Sequence, residues 1–391
     1  MKLIYNNFDG LDLSFQGALP EKYLRQLSEA REQAQNEKRE VLLELGDEKI
    51  QVMVAETGAR GGYRYRFDTG LDGETWFIVH STNVERYNIR VSVKSLALAL
   101  SGYEAVKERL LKRLESFKAK GPNRFDSANQ EYINTPLERI SRLDYCFDII
   151  MPSDFEPDPK RFVAHMRANK VVYGEEGFVS NYAALNGDII NTVRIGEMPG
   201  RQAVIYNKTK EITASSKRFW WQIWELDPEK FDKDNYTIWR IEVRAGRDEL
   251  DKWNLKRFED FETKAGDVIA AILKAIRYTK PYQNDDNRSR WPMDPIWEKA
   301  YKTSYKALEA YSSNAIRDNV IRAYKEDVIK GYRERLIGNA IGYNAAIGRD
   351  VSELPVVFEE MQKIIKAIAQ DDKNELIKKH IRAGERLVFL D

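Results

Sequence analysis

Three short stretches carry the side chains best able to do chemistry in this 391-residue chain. "RLDYCFDI" alternates Arg142, Asp144, Cys146 and Asp148 with Leu143, Tyr145, Phe147 and Ile149. "IWRIEVRAG" alternates Arg240, Glu242 and Arg244 with Trp239, Ile241 and Val243. Between them, "GEMPGRQAVIYNKTKE" reads as a tight turn from Gly196 to Gly200, then a strand whose apolar run is broken by Tyr206 and Lys208. Side chains two apart on a strand share a face, so the phenol lies beside the ammonium and each polar row stands against an apolar one. Aspartate is a poor strand former, so Asp144 and Asp148 call for a cation, a metal or open water. If the three strands are sheet neighbours with polar faces aligned, they assemble carboxylates, a phenol and cations.

That set suits phosphodiester chemistry. Carboxylates can hold Mg²⁺ or Mn²⁺, and such an ion polarises a phosphoryl oxygen. A tyrosine can be a covalent nucleophile, but its free pKa is about 10, so it needs a metal, a base or a cation such as Lys208. Arginines would hold the flanking phosphates. The same rows also fit a solvated sheet face on which Asp144 or Asp148 pairs across strands with Arg240 or Arg244.

The elements that must position these residues follow from periodicity. Residues 1–20 include a short strand-like piece, "DGLDLSFQG", and residues 21–38 are polar and helical in pattern. "EVLLEL", "KIQVMVAE", "YRYRFDT", "TWFIVHS" and "YNIRVSVKS" then predict an antiparallel meander. A helix, "YEAVKERLLKRLESF", and a loop, "KGPNRFDSANQEYINTP", end this N-terminal α+β lobe at about residue 125. A catalytic region follows over 126–265. "RISRLDYCFDIIM" is its first strand and "DPKRFVAHMRA" reads as a short helix. "DIINTVRIG" and "RQAVIYNK" read as a hairpin, and "YTIWRIEVRAG" as the last strand. From about 266 the pattern is helical to residue 391, with a 3.6-residue period through Val320, Ile321, Tyr324, Val328, Ile329, Tyr332, Leu336 and Ile337. The fold class expected is α+β: an antiparallel catalytic sheet with packed helices, an N-terminal meander lobe and an all-helical C-terminal region. The meander either extends the catalytic sheet or forms a second lobe that binds DNA.

Composition narrows the classes. The 63 Lys and Arg residues nearly cancel 62 Asp and Glu, so any nucleic-acid surface must be a local patch. Histidines 80, 165 and 380 are scattered, with no HExxH or His-x-His pair, which argues against a histidine metal site. The lone Cys146 excludes an intramolecular disulfide and has no histidine partner, so it reads as a buried structural thiol. No apolar run approaches the ~20 residues of a membrane helix, and the N-terminus lacks the core of a signal peptide. A cytoplasmic protein is expected.

Together the three stretches resemble the Rep_trans (replication initiation factor) family, the rolling-circle initiators of Gram-positive plasmids and some filamentous phages, with related conjugative-element relaxases. The family pattern, R-x-D-x-x-x-D, then G…R…x-Y-x-K, then R-x-E-x-R, is met by Arg142, Asp144 and Asp148; by Gly196, Arg201, Tyr206 and Lys208; and by Arg240, Glu242 and Arg244. "NRSRWPMDPIWEKA" is similar to a downstream segment of chromosomal and phage-borne members, so the resemblance spans about residues 135–300. It implies an origin-nicking enzyme whose tyrosine, here Tyr206, attacks the scissile phosphate, keeps the 5′ phosphate and frees a 3′-OH primer. It implies a divalent ion, Mg²⁺ or Mn²⁺, held by Asp144 and Glu242 with Asp148 as a third candidate. Lys208 would stabilise the phenolate or the phosphorane. Arg142, Arg194, Arg201, Arg240, Arg244, Lys217 and Arg218 would contact DNA. Double- and single-stranded origin DNA, a host helicase and a second copy of the chain are the partners this implies, with no membrane. The sequence shows no clear helix-turn-helix pattern of the kind some relaxase relatives carry N-terminally, and it has Asn207 where an acid is frequent.

Three alternatives stay open on the sequence: a conjugative relaxase with the same chemistry, a non-catalytic DNA-binding protein, and a protein-interaction module whose polar sheet face is merely solvated. In "SSKRFWWQIWELD", Trp220, Trp221 and Trp224 read more readily as core anchors than as base-stacking platforms.

Overall fold

The computed structural model of the chain describes all residues except 128, 165–169, 175–176, 181–189, 283–284, 308–314, 372, 386 and 388–391. His165 lies outside the described residues. The chain forms two compact units, residues 1–211 with 223–315, and residues 212–222 with 316–391.

The first unit is built on one antiparallel sheet. The chain opens with β1 (Lys2–Gln16) and α1 (Glu21–Glu37). The meander follows as β2 (Val41–Leu45), β3 (Ile50–Val54), β4 (Tyr63–Asp68), β5 (Glu74–Val79) and β6 (Ile89–Val93). After α2 (Ser95–Ser116) a small hairpin, β7 (Arg124–Asp126) and β8 (Glu131–Ile133), stands where a loop was expected. Then come β9 (Leu137–Pro152), β10 (Phe162–Ala164), β11 (Lys170–Gly174), β12 (Gly177–Ser180), β13 (Ile190–Gly196), β14 (Arg201–Asn207) and, beyond two short helices, β15 (Tyr236–Gly246). The short helices are α3 (Lys208–Ala214) and α4 (Trp220–Ile223).

The twelve-stranded sheet runs β12-β11-β13-β14-β15-β9-β1-β6-β5-β4-β3-β2. The long β1 pairs with β6 on one side and with β9 on the other. The meander therefore continues the sheet that contains β9, β14 and β15. β-Branched and aromatic residues alternate with polar ones along each central strand, which sends one row inward and one outward. Phe8, Leu13, Phe67, Trp76, Val91, Tyr145, Phe147, Ile205, Ile241 and Val243 form the inward rows of one continuous core.

Helices close that core. On α1 the buried residues Tyr23, Leu24, Leu27, Ala30 and Ala34 repeat at three and four. α2 is interrupted at Gly102, whose φ of 74° lies in the left-handed region that favours glycine. α5 (Arg247–Lys252) leads into α6 (Phe258–Ala275), which lays Phe261, Ala265, Val268, Ile269, Ile272 and Leu273 against the sheet. β16 (Ile276–Tyr278) and α7 (Pro295–Ser304), capped by Asp294, complete the unit.

The helix expected over 158–168 does not form in its described part. Asp158 caps a single 3₁₀ turn over Pro159–Arg161, and β10 then pairs with β16, placing Phe162 against Tyr278 and Trp297. Tertiary pairing of a three-residue apolar segment overrides its helical pattern here.

The second unit contains α8 (Arg317–Ala346), α9 (Leu354–Asp371) and α10 (Lys373–Glu385). Arg349 clamps Glu360 through two hydrogen bonds of 2.9 Å. The expected stripe on α8 is helical, with Val320 and Ile321 buried and Ile329, Tyr332, Leu336 and Ile337 exposed. Among the described residues no helix is long and apolar enough to cross a membrane.

Candidate active site on the polar face of the sheet

The three chemically suggestive stretches are neighbours, in the order β14-β15-β9. Their registers align the polar rows. Tyr206 faces Arg240, which faces Asp148, which faces Tyr5 of β1. One step along, Arg194 of β13 faces Val204, then Glu242, Cys146 and Asn7. One step further, Gln202 faces Arg244, then Asp144 and Gly10. All these side chains lie on the sheet face opposite the helix-covered core.

Arg240 is the centre of the first row and is fully buried. Its Nε and Nη2 donate to the two oxygens of Asp148 at 2.6 and 2.7 Å, and its Nη1 donates to Asp9 Oδ1 at 2.7 Å. Trp224 Nε1 donates to Asp148 Oδ2 at 2.7 Å. A buried guanidinium is tolerable only when paired in this way. The arrangement sets Arg240 and Asp148 apart from the roles expected of them: the first does not present its guanidinium to solvent, and the second already accepts three hydrogen bonds from protein.

Asp9 was not singled out from sequence. It is the extra residue of a β-bulge, lying between the registered pairs Phe8–Tyr145 and Gly10–Asp144. A bulge re-aims a side chain and breaks the two-residue period, so alternation does not find it. At the next position, Gly10, an added Cβ would lie 3.2 Å from Asp144 Oδ2. Trp224 is buried, as are Trp220 and Trp221, which agrees with the core reading of that cluster.

Tyr206 is half-buried at the end of β14, and its neighbour differs from expectation in element but not in position. Lys208 is the first residue of α3, not a strand residue, yet its Nζ lies 5.7 Å from the Tyr206 ring centroid and bonds Glu211 Oε2 at 2.6 Å. Burial pushes the Tyr206 phenol well above its ordinary range, while Arg240 pulls it down and Glu242, Asp9 and Asp148 push it up. Burial, and then Arg240, lower the Lys208 ammonium. The cation acting most strongly on the phenol is thus Arg240, across the strands, and Lys208 adds a cation over the ring.

The remaining carboxylates, Asp144 and Glu242, are diagonal neighbours on β9 and β15, a relationship that separates backbones by roughly 7–8 Å. Arg142 holds both oxygens of Asp144, at 2.9 and 2.6 Å. Arg244 donates Nε to Glu242 Oε1 at 2.6 Å and Nη1 to Gln202 Oε1 at 3.0 Å. Burial raises the Asp144 carboxyl to about 7, opposed by Arg142 and reinforced by Glu242. Among the described residues no group of three or more His, Cys, Asp or Glu converges as a ligand set. Two carboxylates on one face still fit a hard divalent ion, which commonly takes one or two carboxylates and completes its shell with water and substrate phosphate. Asp148 is engaged by Arg240 and Trp224, as Asp144 is by Arg142 and Glu242 by Arg244.

The other expected DNA contacts separate into groups. Arg142, Arg194 and Arg244 lie in the first unit on the face of the carboxylates, whereas Arg201 belongs to the opposite row of β14, with Ala203 and Ile205, faces Ala245 and has its Nη1 3.5 Å from Glu249. Lys217 and Arg218 belong to the second unit, where Asp327 accepts from the Arg218 backbone at 2.8 Å. Cys146 is buried with its thiol pushed up by that burial, as a structural cysteine should be.

No family model and no curated protein matches the sequence. Among solved structures, the chain is similar to the rolling circle replication initiator protein from Geobacillus stearothermophilus, with a TM-score of 0.40 and 13% identity over 78% of this chain and 99% of that one.

Proposed function

We propose that the chain is a DNA nicking–joining enzyme, a rolling-circle replication initiator that uses Tyr206 as its nucleophile. The observation carrying the reading is the row Tyr206–Arg240–Asp148 across three adjacent strands, with Asp144 and Glu242 beside it. The sequence motif could meet this geometry only if those strands were neighbours in that register, and they are.

In this mechanism single-stranded origin DNA lies over the half-exposed guanidinium of Arg142 and beside Arg244 and Arg194, which hold its phosphates. Arg240 does not touch DNA. It is fixed by Asp148 and Asp9 and lowers the cost of ionising Tyr206 from beneath. Lys208 supplies the second cation, over the ring, and balances charge as the pentacovalent phosphate forms. Asp144 and Glu242 would hold a divalent ion, which when bound polarises a phosphoryl oxygen. Tyr206 Oη forms a bond to phosphorus as the bond from phosphorus to the 3′ oxygen breaks. The phenolic proton ends, in the overall balance, on the departing 3′-OH, and the 5′ phosphate remains on the tyrosine. Reversal by a free 3′-OH rejoins the strand.

The test is a supercoiled plasmid bearing the element's own origin, incubated with the protein and Mn²⁺ or Mg²⁺. The expected product is an open circle whose new 5′ end stays blocked to polynucleotide kinase even after the protein is digested, because a tyrosyl peptide remains on its phosphate, and whose free 3′-OH is extended by a polymerase. A supercoiled plasmid that is bound but never opened would instead favour the non-catalytic DNA-binding protein.

A further inference from the structure

The same sheet face continues beyond the proposed catalytic strands into its N-terminal half. There Arg66 of β4 faces Phe77 of β5, which faces Arg90 of β6, which faces Ser14 of β1, which faces Arg139 of β9. The adjoining row runs Asp68, Thr75, Ser92, Asp12 and Arg142. Arg142 therefore ends the meander's polar face and begins the proposed active site.

Phe77 is an anomaly on this face. Its neighbours along β5, Trp76 and Ile78, go to the core, while Phe77 lies on the outer side and is not fully covered. The Arg90 guanidinium carbon stands 5.2 Å from its ring centroid, and Tyr63 meets the ring edge-on at 6.2 Å. The Arg66 and Arg90 side chains are 40% and 37% exposed, so charge and ring are both reachable from solvent. Arg90 donates one Nη2 bond to Asp12 at 3.0 Å, and Arg66 lies 4.0 Å from Glu40. A guanidinium has five donors, so each keeps several for another acceptor. The exposed Arg64 adds a further cation at the bulge beside Tyr63.

An aromatic ring flanked by arginines on an open sheet face is the combination that stacks an unpaired base and holds its phosphates. We propose that Phe77, with Arg66 and Arg90, forms a binding track for single-stranded DNA that runs along the sheet to Arg142 and the catalytic face. The proposal rests on the nicking reading for its class of ligand. Duplex DNA fits this face less well, because its bases are already stacked and cannot meet the ring.

The test measures binding of a fluorescein-labelled oligothymidine of about 30 nucleotides by anisotropy, at several salt concentrations, in the Tyr206→Phe background so that no chemistry intervenes. Phe77→Ala should weaken binding about tenfold, and Phe77→Tyr should retain it. Arg66→Ala with Arg90→Ala should reduce the steepness of the log–log salt dependence by about 1.4, two phosphate contacts at ~0.7 each. Binding of a duplex of the same length should change far less in either variant. Thermal melting confirms that the variants are folded, and the arginine pair, which lies outside the core, keeps the test open if Phe77→Ala does not fold. Folded variants that bind oligothymidine as the parent does, a wild type that does not bind it, or equal losses on duplex would each overturn the track. A Phe77-dependent affinity in a protein that forms no tyrosine adduct would keep the track and remove the nicking reading.

Discussion

Arg240 and Asp148 form a two-toothed ion pair of 2.6 and 2.7 Å in which neither side chain reaches solvent. The pair lies directly across the strand from Tyr206. Removing one partner leaves the other charged and buried, which costs far more than the pair is worth as a unit. Asp148→Ala should therefore lower unfolding free energy by about 3–5 kcal/mol, measured from urea midpoints. A loss below about 1 kcal/mol would mean that the pair is solvated.

Lys208 tests the chemistry without removing the nucleophile. Its ammonium is placed over the Tyr206 ring, where in the proposed mechanism it would act on charge that develops during attack. Lys208→Gln should slow formation of the covalent adduct by about 10²-fold, the scale of losing one charge-stabilising group, with oligonucleotide affinity nearly unchanged. An affinity loss at unchanged rate would make Lys208 a phosphate contact.

Asp144 makes stability depend on pH. Its carboxyl is raised to about 7 from an ordinary 3.8, so between those values the folded chain holds more protons than the unfolded one. Stability should therefore fall as pH rises from about 4 to about 7, by at most about 4 kcal/mol from this group, and then level off. Asp144→Asn should remove that slope in denaturant titrations. At pH 8, Mg²⁺ or Mn²⁺ should raise the midpoint of the wild type and leave the Asn variant unmoved. A slope that survives the substitution would place the titration elsewhere.

The turn that aims β14 depends on Gly196, whose φ is 90° and where a Cβ would lie 2.2 Å from the Arg201 carbonyl oxygen. Gly196→Ala should cost at least about 1–2 kcal/mol by thermal melting, because both the left-handed backbone and the contact are unfavourable. An unchanged melting temperature would show that the hairpin relaxes freely.

Much of this fold was legible in sequence because its strands alternate cleanly. Tyr236–Gly246 could be read to the residue, since Trp239, Ile241 and Val243 all go inward and Arg240, Glu242 and Arg244 all go outward. What alternation cannot supply is register between strands, and the site exists only through register: Tyr206 meets Arg240 because β14 and β15 pair in that offset and no other. Asp9 escaped because a bulge breaks the period, and Lys208 changed element because a helix begins one residue after β14 ends. The roles assigned to Arg240 and Asp148 by motif alone shift once burial is known, since a guanidinium enclosed by two carboxylates and a carboxylate enclosed by Arg240 and Trp224 are engaged inside the protein.

The most direct measurement is the identity of the residue that becomes linked to DNA. Single-stranded oligonucleotides tiled across the element's origin would be incubated with the protein and Mn²⁺, and the denaturant-resistant adduct digested and mapped by mass spectrometry, beside Tyr206→Phe. A nucleotide mass is expected on the peptide containing Tyr206, with no adduct in the Phe variant. An adduct that persists in the Phe variant, or that maps to another tyrosine, would contradict Tyr206 as the nucleophile.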